Sequence, residues 1–451
     1  MAELPDIKLL KEVTKSSSVS PISFHPALPI LVNGSYNRSD LSVQFFNVPD
    51  LRKVGFINWN TDPKRFIRTV NCVALHPRLG VMLTGDAGSE NNVKIFDIKN
   101  YNTNYKTPDK VSSVELATLS GHIGAITCVA FHSKLPYFAT SSWDTTAKIW
   151  HYNKDNWTET RCVLTLQHTS EVTSIAFHPT QPKLASTSGN SGAKMWDFLV
   201  DSEAEAAAEA GAVAEAVAEA GATTKTPSIT LEEHTNTSCV AFHPGPSNYI
   251  LAVSGYNYID SPRRYSIKLW NYRSKECIAT LQGHTNEITS IRFHPSMPLL
   301  VSGSRDSKVK FWCIEPDLAK TSCCKTLDYI TELDSRPGFV ASIEFGPNHQ
   351  NGTDSLLATG TFSGMLRLYD IEILRPLLRG RNPFYLTPTK TDIHRLYSEI
   401  GRKAQTGVLH RFGRGDVNGR GGNNTKRNRH KLSRKRRRRT FRKKRKSHNR
   451  R

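Results

Sequence analysis

The sequence has 451 residues, of which 38% are hydrophobic, and a formal net charge of +21. It is longer than one ordinary domain and can bury a large core. No run of about 18 apolar residues occurs and the N-terminus lacks an apolar h-region, so neither a membrane span nor a secretory signal is predicted. The eight cysteines form no C-x-x-C pair, which argues against zinc and redox sites, so we expect no cofactor and an intracellular location.

Residues 6–374 contain a β unit that recurs seven times, of which residues 288–312 are the clearest copy. Period-two alternation, with small polar residues between the runs, predicts three short strands in each copy. One such sheet alone would be unstable, and the interval of 46 to 65 residues between copies is close to that of propeller blades. The turn after the first strand is Phe24-His25-Pro26, Leu75-His76-Pro77, Phe131-His132, Phe177-His178-Pro179, Phe242-His243-Pro244, Phe293-His294-Pro295 or the degraded Phe345-Gly346-Pro347.

These turns, together with an aromatic residue in each third strand, resemble those of WD-repeat β-propellers. The resemblance implies an all-β fold, a seven-bladed propeller of four-stranded antiparallel blades over residues 6–374. In that family an N-terminal strand commonly pairs into the last blade. We therefore expect residues 6–13 to lie beside residues 366–369 and to close the ring, which would remove two open sheet edges.

The family pattern also implies a hydrogen-bonded tetrad of His, Ser or Thr, Asp and Trp within a blade. Three repeats keep 28 residues between the His and the Trp. A feature repeated in several blades belongs more often to the fold than to one active site, so we assign these residues a structural role. The predicted tetrads are His122, Ser142, Asp144 and Trp150; His168, Ser188, Asn190 and Trp196, with Asn replacing Asp; and His284, Ser304, Asp306 and Trp312.

The other four repeats depart from this pattern, and we expect their blades to rely on packing alone. The departing residues are Lys15, Phe66 and Arg336 near the His position and Arg264 in place of the Asp.

Residues 201–222 form an Ala- and Glu-rich insertion in the fourth repeat, with six acidic residues and no basic one. Ala and Glu favour helix, whereas Gly211 and Gly221 would weaken one. We interpret the insertion as a solvated surface loop, whose length costs little stability. The alternative is an acidic segment that binds a basic partner.

A second insertion, YNYIDSPRRY at residues 256–265, separates the second and third strands of the fifth repeat. The family resemblance places this loop on the face where partner peptides usually dock. Tyr and Arg are enriched at the energetic centres of interfaces, so the loop is a candidate protein-binding site. The alternative is a longer hairpin with incidental aromatic residues. The candidate residues are Tyr256, Tyr258, Arg263, Arg264 and Tyr265.

The next segment, Trp270-Asn271-Tyr272-Arg273, resembles the Trp-Asp-x-Arg signature of propellers that act as substrate receptors of cullin-type ubiquitin ligases. Asn271 stands in place of the Asp, and the motif is short. This alternative function requires Arg273 to be exposed on the face opposite the tyrosine loop.

Residues 375–401 are predicted to form a connector followed by a short helix. At residues 391–401 the apolar side chains fall on one helical face, and Gly401 provides a stop. We expect this helix to pack on the propeller; the alternative is that its apolar face binds a partner.

Residues 402–451 hold 22 of the 61 Lys and Arg but only one acidic residue, whereas the rest of the chain has 39 of each sign. This segment therefore carries the whole net charge, and its composition predicts a disordered tail. Such a charge density suits phosphate backbones without base selectivity. The densest cations are Arg434, Lys435, Arg436, Arg437, Arg438, Arg439, Arg442, Lys443, Lys444, Arg445 and Lys446.

Two classes of function are consistent with these features. We favour a non-enzymatic scaffold whose propeller faces bind other proteins, while the tail binds RNA or DNA, directs the protein to the nucleus or nucleolus, or does both. A solubilising tail and a cytoplasmic location are the alternatives. The sequence has no Gly-Lys-Ser/Thr phosphate loop, no H-E-x-x-H and no nucleophile elbow, and we assign no catalytic or metal-binding residue. It does not decide the oligomeric state or identify the partners.

Overall fold

The computed structural model describes residues 7–15, 17–25, 28–35, 42–58, 69–87, 92–98, 114–198, 223–231, 234–245, 249–314, 325–327, 329–348 and 353–379. The chain divides into two compact units, 1–393 and 394–451, and the described residues belong to the first. The acidic insertion at 201–222, the helix predicted at 391–401 and the basic tail at 402–451 lie outside the described residues.

Seven antiparallel sheets form the blades of a closed propeller. The strands, in chain order, are β1 (Lys8–Thr14), which belongs to the last blade; β2 (Val19–Phe24), β3 (Ile30–Ser35), β4 (Ser42–Asn47) and β5 (Lys53–Asn58) in blade 1; and β6 (Val70–Leu75), β7 (Val81–Asp86), β8 (Val93–Asp97) and β9 (Val114–Leu119) in blade 2. Blade 3 has β10 (Ile126–Phe131), β11 (Tyr137–Ser142), β12 (Thr146–His151) and β13 (Arg161–Gln167). Blade 4 has β14 (Val172–Phe177), β15 (Lys183–Ser188), β16 (Ala193–Asp197) and β18 (Ile229–Leu231); the short strand β17 (Thr223–Thr224), which precedes β18 in the chain, joins the sheet of blade 3.

Blade 5 has β19 (Asn236–Phe242), β20 (Ile250–Tyr256), β21 (Tyr265–Asn271) and β22 (Glu276–His284). Blade 6 has β23 (Ile288–Phe293), β24 (Leu299–Ser304), β25 (Lys308–Cys313) and β27 (Thr331–Asp334); the short strand β26 (Lys325–Leu327), which precedes β27 in the chain, joins the sheet of blade 5. Blade 7 has β28 (Val340–Asn348), β29 (Thr353–Thr361), β30 (Met365–Asp370) and β1. A 3-10 turn, Trp157–Glu159, follows β12, and helix α1 (Leu374–Arg379) follows β30. Within the described ranges, no helix is long and apolar enough to cross a membrane. The prediction of a seven-bladed all-β propeller is confirmed.

The ring is closed by packing as well as by strand pairing. The first strand of each blade contacts the first strands of its two neighbours. Seven apolar clusters fill the seven interfaces between adjacent blades. Each blade is too small to be stable alone, so burial between neighbours supplies the core that one sheet lacks.

The N-terminal strand closes the last blade as predicted. β1 pairs antiparallel with β30, with Leu9 opposite Tyr369 and Val13 opposite Leu366. The ion pair between Arg367 and Glu12 adds a side-chain contact across the same pair of strands. The closure model is therefore confirmed at the level of strand register.

The histidine of the Phe-His-Pro turn folds the first hairpin of a blade. His76 Nδ1 accepts hydrogen bonds from the backbone N–H groups of Arg78 and Leu79, at 3.0 and 2.8 Å. Bonds of this kind recur at His25, His132, His178, His243 and His294. Because Nδ1 accepts, the ring carries its proton on Nε2, which for His76 hydrogen-bonds Tyr152 Oη of the next blade at 2.7 Å.

The prediction of a turn at Phe345-Gly346-Pro347 is wrong. β28 runs through all three residues to Asn348 and pairs with β29. The tripeptide has Gly in place of His, so it has no imidazole to accept the backbone N–H groups of a turn. The hairpin of blade 7 is longer as a result.

Two short strands were not predicted. β17 and β26 lie in the long connections that lead to the fourth strands of blades 4 and 6, and each pairs in parallel with the outer strand of the preceding blade, β13 and β22 respectively. They cover sheet edges that would otherwise be open.

Candidate protein-binding face

Blade 3 contains a hydrogen-bonded chain that joins its surface to its core. His122 Nδ1 donates to Asp144 Oδ2 at 2.7 Å, and His122 Nε2 hydrogen-bonds Thr140 Oγ1 at 2.7 Å. Trp150 Nε1 donates to the same hydroxyl oxygen at 2.9 Å. Blade 6 repeats the arrangement with His284, Asp306, Ser302 and Trp312.

In these two hydrogen-bonded series the hydroxyl comes from Thr140 and Ser302, each two residues before the predicted serine. The predictions of Ser142 and Ser304 were therefore wrong. Ser142 Oγ donates to Gly124 O at 2.8 Å and accepts from the N–H of Asp144 at 3.1 Å. Ser304 does the same at its own hairpin. Side chains two residues apart on a strand share a face, so spacing alone could not separate the two candidates.

Blade 4 holds an incomplete version of the chain. Ser186, not the predicted Ser188, bonds both His168 Nε2 and Trp196 Nε1, at 2.9 and 2.7 Å. Ser188 instead bonds Ser191. The prediction that Asn190 replaces the Asp is also wrong, because among the described residues His168 Nδ1 has no hydrogen-bond partner. Burial and the charge of Lys194 lower the pKa of His168 to about 3.

Asn190 instead donates its backbone N–H to Ser170 Oγ at 2.9 Å. It therefore helps to shape the hairpin rather than to hold the histidine.

A fourth histidine of this kind, His234 in blade 5, was missed by the sequence reasoning. It is buried directly before β19, and neither ring nitrogen has a partner in the part of the chain that the structure describes. In blades 3 and 6 the hydroxyl residue lies two positions after the residue that pairs with the Trp. In blade 5 Trp270 pairs with Leu251, so the equivalent position is Val253, which has no hydroxyl. The available signal was a His just before a β run. It was obscured because the long tyrosine loop lengthens the interval to the Trp.

Blade 1 does not rely on packing alone, contrary to the prediction. Lys15 occupies the His position and its Nζ donates to Asn33 Oδ1, which lies at the hydroxyl position. Lys15 also lies over the Phe46 ring, 5.6 Å from its centroid. A cation and an amide thus replace the imidazole and the hydroxyl.

The tetrad aspartates also fix surface loops. Asp144 Oδ2 accepts the N–H of Ile123 at 3.1 Å, and Asp306 Oδ2 accepts the N–H of Thr285 at 3.0 Å. Burial alone would raise the pKa of Asp144, but the hydrogen bonds from His122 and Thr146 outweigh it and hold the pKa below its ordinary value. The carboxylate is therefore ionised at neutral pH and remains an acceptor.

The loops held in this way lie at one end of the propeller, which we call the upper face. It carries the hairpins between second and third strands and the connections between blades; the opposite end is the lower face. Of the large apolar side chains that are exposed among the described residues, six of eleven lie in upper-face loops. They are Ile123, Trp143, Tyr258, Ile259, Phe339 and Phe362.

The tyrosine loop is an ordered aromatic cluster on this face. The Tyr256 ring lies 5.2 Å from the ring of Tyr258 and 5.2 Å from that of Tyr265. The Arg263 guanidinium carbon lies 5.3 and 5.7 Å from the centroids of Tyr256 and Tyr258, within cation–π range. Tyr258 is 49% exposed and accepts from Asn236 Nδ2 at 2.8 Å.

Burial, then the hydrogen bond to Tyr258, raise the pKa of Tyr256 to about 12, and the charge of Glu287 adds to the shift. Its hydroxyl is therefore neutral at physiological pH. Glu287 lies in the connection between blades 5 and 6, on the same upper face.

From Glu287 the contacts continue into blade 7. Arg305 Nε lies 3.2 Å from Glu287 Oε2, and the Arg305 guanidinium carbon lies 5.9 Å from the Phe362 centroid. The N–H of Phe362 donates to Phe339 O at 3.0 Å. We call the surface that spans blades 5 to 7 the upper arc; it consists of Tyr256, Tyr258, Arg263, Glu287, Arg305, Phe339 and Phe362.

The remaining arginines of the sequence hypotheses lie in different places. Arg264 is exposed in the tyrosine loop. Arg273 is exposed on the lower face, where its guanidinium lies 5.2 Å from the Tyr249 ring centroid and donates to the Tyr249 hydroxyl at 3.3 Å. Exposure is what the ligase-receptor alternative requires, but this arginine is held by a neighbouring side chain.

Comparison with known proteins agrees with this architecture. The family model described as "WD domain, G-beta repeat" matches residues 113–151, 160–197 and 275–313. These three matches include the His-to-Trp chains of blades 3, 4 and 6. The chain contains WD40 repeats within a seven-bladed β-propeller.

Individual relatives match only part of the chain. Over 87 residues it is 33% identical to the probable coatomer subunit beta' of Schizosaccharomyces pombe, which is 19% of this chain and 10% of the relative. It is 38% identical over 87 residues to the nuclear distribution protein nudF of Aspergillus flavus, covering 18% and 17%. It is 30% identical over 138 residues to the mitochondrial division protein 1 of Saccharomyces cerevisiae, covering 26% and 15%. The chain thus spans less than a fifth of the length of each of these relatives.

Proposed function

We propose that this WD40 propeller is a non-enzymatic scaffold that binds a protein partner through the upper arc. The observation that carries the proposal is the set of exposed aromatic rings beside arginines on one face: Tyr258 lies under Arg263 in blade 5, and Arg305 joins Glu287 to Phe362, which hydrogen-bonds Phe339. Aromatic and Arg side chains dominate the binding energy of protein interfaces. Supporting this, the tyrosine loop is fixed before binding: Thr235 accepts the N–H of Tyr258 at 2.9 Å and donates its own N–H to Asn257 Oδ1 at 3.0 Å. Little ordering entropy is then lost on association.

The chemistry of the arc indicates the kind of segment that fits it. Phe339 and Phe362 are 50% and 41% exposed and offer apolar contact area. Arg263 and Arg264 are exposed in the tyrosine loop, and Arg305 lies over Phe362; these guanidinium groups favour carboxylates. A partner segment with apolar side chains and flanking acidic residues is complementary to both.

The test is affinity purification of the tagged full chain, with partners quantified by mass spectrometry. A Phe339→Ala and Phe362→Ala double variant should lose the partners that the wild-type chain retains, because their apolar contacts are removed. Trp143→Ala is the matched control, since Trp143 is 59% exposed on the upper face but belongs to blade 3. If every partner is retained by the double variant, or lost equally by the control, the upper arc is not the binding site.

We further propose that residues 402–451 tether the scaffold to RNA or DNA and direct it to the nucleus or nucleolus. The support is the charge: the segment holds the entire net excess of +21, with eleven cations at positions 434–446. Release of counterions from a phosphate backbone would drive such binding without base selectivity.

Salt titration of nucleic-acid binding tests the tether. The full chain should bind single-stranded RNA with an affinity that falls steeply with salt, and a full-length variant with those eleven cations changed to Gln should lose most of that slope, since each phosphate contact contributes about 0.7 to it. An unchanged slope would place the nucleic-acid site on the propeller. A fluorescent fusion of the same variant would report localisation, and its retention in the nucleus would overturn the import role.

A further inference from the structure

A cavity of about 620 Å³ opens on the lower face between blades 2 and 3, on the side of the propeller opposite the upper arc. Its walls come from the first turn of each of these blades and from the connection between the third and fourth strands of blade 3. The charged side chains that line it are Arg78, Lys134, Lys154, Asp155, Glu159 and Arg161. The histidines His76, His132 and His151 line it too.

Two of the three histidines are neutral and already bonded. His76 Nδ1 accepts two backbone N–H groups and its Nε2 donates to Tyr152. His132 Nδ1 likewise accepts two, and its Nε2 donates to Gln181 O at 3.1 Å. Burial, then the charge of Arg78, lower the pKa of His76 to about 4. For His151 burial and Arg161 also lower the pKa. The histidines therefore add no charge to the cavity near neutral pH.

The charged lining is then unbalanced. Four cations face two carboxylates, which leaves a net charge of +2. Glu159 accepts hydrogen bonds from the side-chain amides of Asn153 and Asn156, at 2.8 and 2.6 Å. These bonds lower its pKa, so Glu159 is ionised and is one of the two carboxylates in the net charge of +2. Within the described ranges, no carboxylate forms an ion pair with Arg78, Lys134 or Lys154.

Tyr152 adds a fixed donor. Its hydroxyl oxygen accepts from His76 Nε2–H, which leaves the hydroxyl hydrogen for another acceptor. The side chain is 5% exposed and lines the cavity, and its ring stacks on Trp157 at 4.6 Å. Burial raises the pKa of Tyr152 to about 12, so the hydrogen remains in place at neutral pH.

The corresponding cleft between blades 4 and 5 shows what differs. The same clamp is present there, with His178 Nε2 bonded to Tyr272 Oη at 2.9 Å. In this second cleft Arg273 lies over the Tyr249 ring and donates a hydrogen bond to the Tyr249 hydroxyl. The clamp is thus a repeated feature of the fold, whereas the turn positions of Arg78 and Lys134 are occupied in blades 4 and 5 by Thr180 and Gly245.

We propose that the cavity between blades 2 and 3 binds the dianionic phosphate group of a phosphomonoester. A net charge of +2 matches a phosphate whose second pKa is about 6, and guanidinium, ammonium and hydroxyl groups are the donors that such a group takes. The cavity is larger than a phosphate ion, so the group is carried either on a phosphorylated protein segment or on a small phosphoester. This site is independent of the upper arc and of the tail.

Hydrogen–deuterium exchange on the full chain tests the site locally, because it reports protection of the cavity segments separately from protection of the basic tail. The probes are a phosphoserine pentapeptide, the same peptide with Ser or Glu, inorganic phosphate and a single-stranded oligonucleotide. The phosphoserine peptide should slow exchange in residues 76–80, 132–136 and 151–161. The double variant Arg78→Gln with Lys134→Gln should need at least about tenfold more peptide, as expected for loss of charge-assisted hydrogen bonds.

Arg263→Gln with Arg264→Gln removes the same charge from the upper face and should bind the phosphoserine peptide like wild type. Lys154→Gln, a single exposed change, provides a second variant that keeps the test decisive if the double variant fails to fold, and it should weaken binding severalfold. Equal protection by inorganic phosphate supports a small phosphoester, and protection by the peptide alone supports a phosphorylated protein. The proposal is overturned by no protection, by equal protection with the Glu peptide, by unchanged binding in the lining variants, or by stronger protection with the oligonucleotide, whose diesters carry one charge per phosphate.

Discussion

Blades 5 and 6 are neighbours with the same strand plan, yet they use their polar groups differently. In blade 6, Asp306 bonds His284 and accepts the N–H of Thr285 and of Lys308, so one carboxylate holds the histidine and a tight hairpin. Blade 5 has no such carboxylate: His234 lies unbonded among the described residues, and the hairpin is long and aromatic. The comparison indicates that a complete tetrad restricts the upper loop, whereas a blade without it can carry a binding surface.

The largest expected effect comes from breaking the core of the regular blade. Trp312→Ala removes an indole that is 1% exposed and bonded to Ser302, and should lower the free energy of unfolding by about 3–5 kcal/mol. Chemical denaturation with a spectroscopic readout measures it. Trp143→Ala should change stability by less than about 0.5 kcal/mol, since Trp143 is mostly exposed. Similar losses in both variants would contradict the burial pattern.

The second effect separates a complete tetrad from an incomplete one. Asp306→Ala leaves His284 Nδ1 buried without its acceptor and should cost about 1–3 kcal/mol. Asn190→Ala, at the equivalent place in blade 4, should cost little, because His168 Nδ1 has no partner there among the described residues. Thermal unfolding of both variants side by side gives the comparison. A large loss in Asn190→Ala would show that Asn190 does hold the histidine.

The sequence predicted what is repeated and missed what is particular to one blade. Seven turns, each followed by a strand that ends in an aromatic residue, were enough to predict the propeller and its closure, because each copy supported the assignment of the others. Thr140 could not be told from Ser142 because both lie on one face of β11. His234 was missed because its loop changes the spacing, and β17 was missed because two residues carry no pattern.

Only the blade 5 part of the upper arc was predicted from the sequence. The tyrosine loop is a local sequence feature, whereas Glu287, Arg305 and Phe362 contact one another across blades 6 and 7. Those residues are far apart in sequence and become neighbours only through the order of the blades. No local motif could have indicated them.

Acid should destabilise the protein partly through the histidine of blade 5. Burial lowers the pKa of His234 to about 4, so between its ordinary value of 6.5 and 4 the unfolded chain binds a proton that the folded blade excludes. The contribution of neutral His234 to the free energy of unfolding is complete above pH 6.5. It is lost as the pH falls towards 4, by up to about 1.4 kcal/mol per pH unit. Unfolding measured from pH 7 to 4.5 should show a smaller slope in His234→Gln than in wild type. Equal slopes would mean that His234 is protonated in the folded state.

The smallest effect, and the sharpest test of the comparison, is to supply blade 5 with the group it lacks. Val253→Thr places a hydroxyl at the position of Thr140 and Ser302, where it can bond His234, and should raise the free energy of unfolding by about 1 kcal/mol. Val301→Thr is the control, because Val301 is buried next to Ser302 on the opposite face of β24. There the hydroxyl meets no imidazole, so the change should instead destabilise by about 1–3 kcal/mol.

Opposite signs for these two Val→Thr changes would show that His234 is positioned to bond a hydroxyl at residue 253, even without a carboxylate on its other ring nitrogen. Destabilisation in both would mean that the long tyrosine loop has moved His234 out of register with β20. In that case the aromatic loop of blade 5, which we propose as a binding surface, comes at the expense of the internal hydrogen bonds of its tetrad.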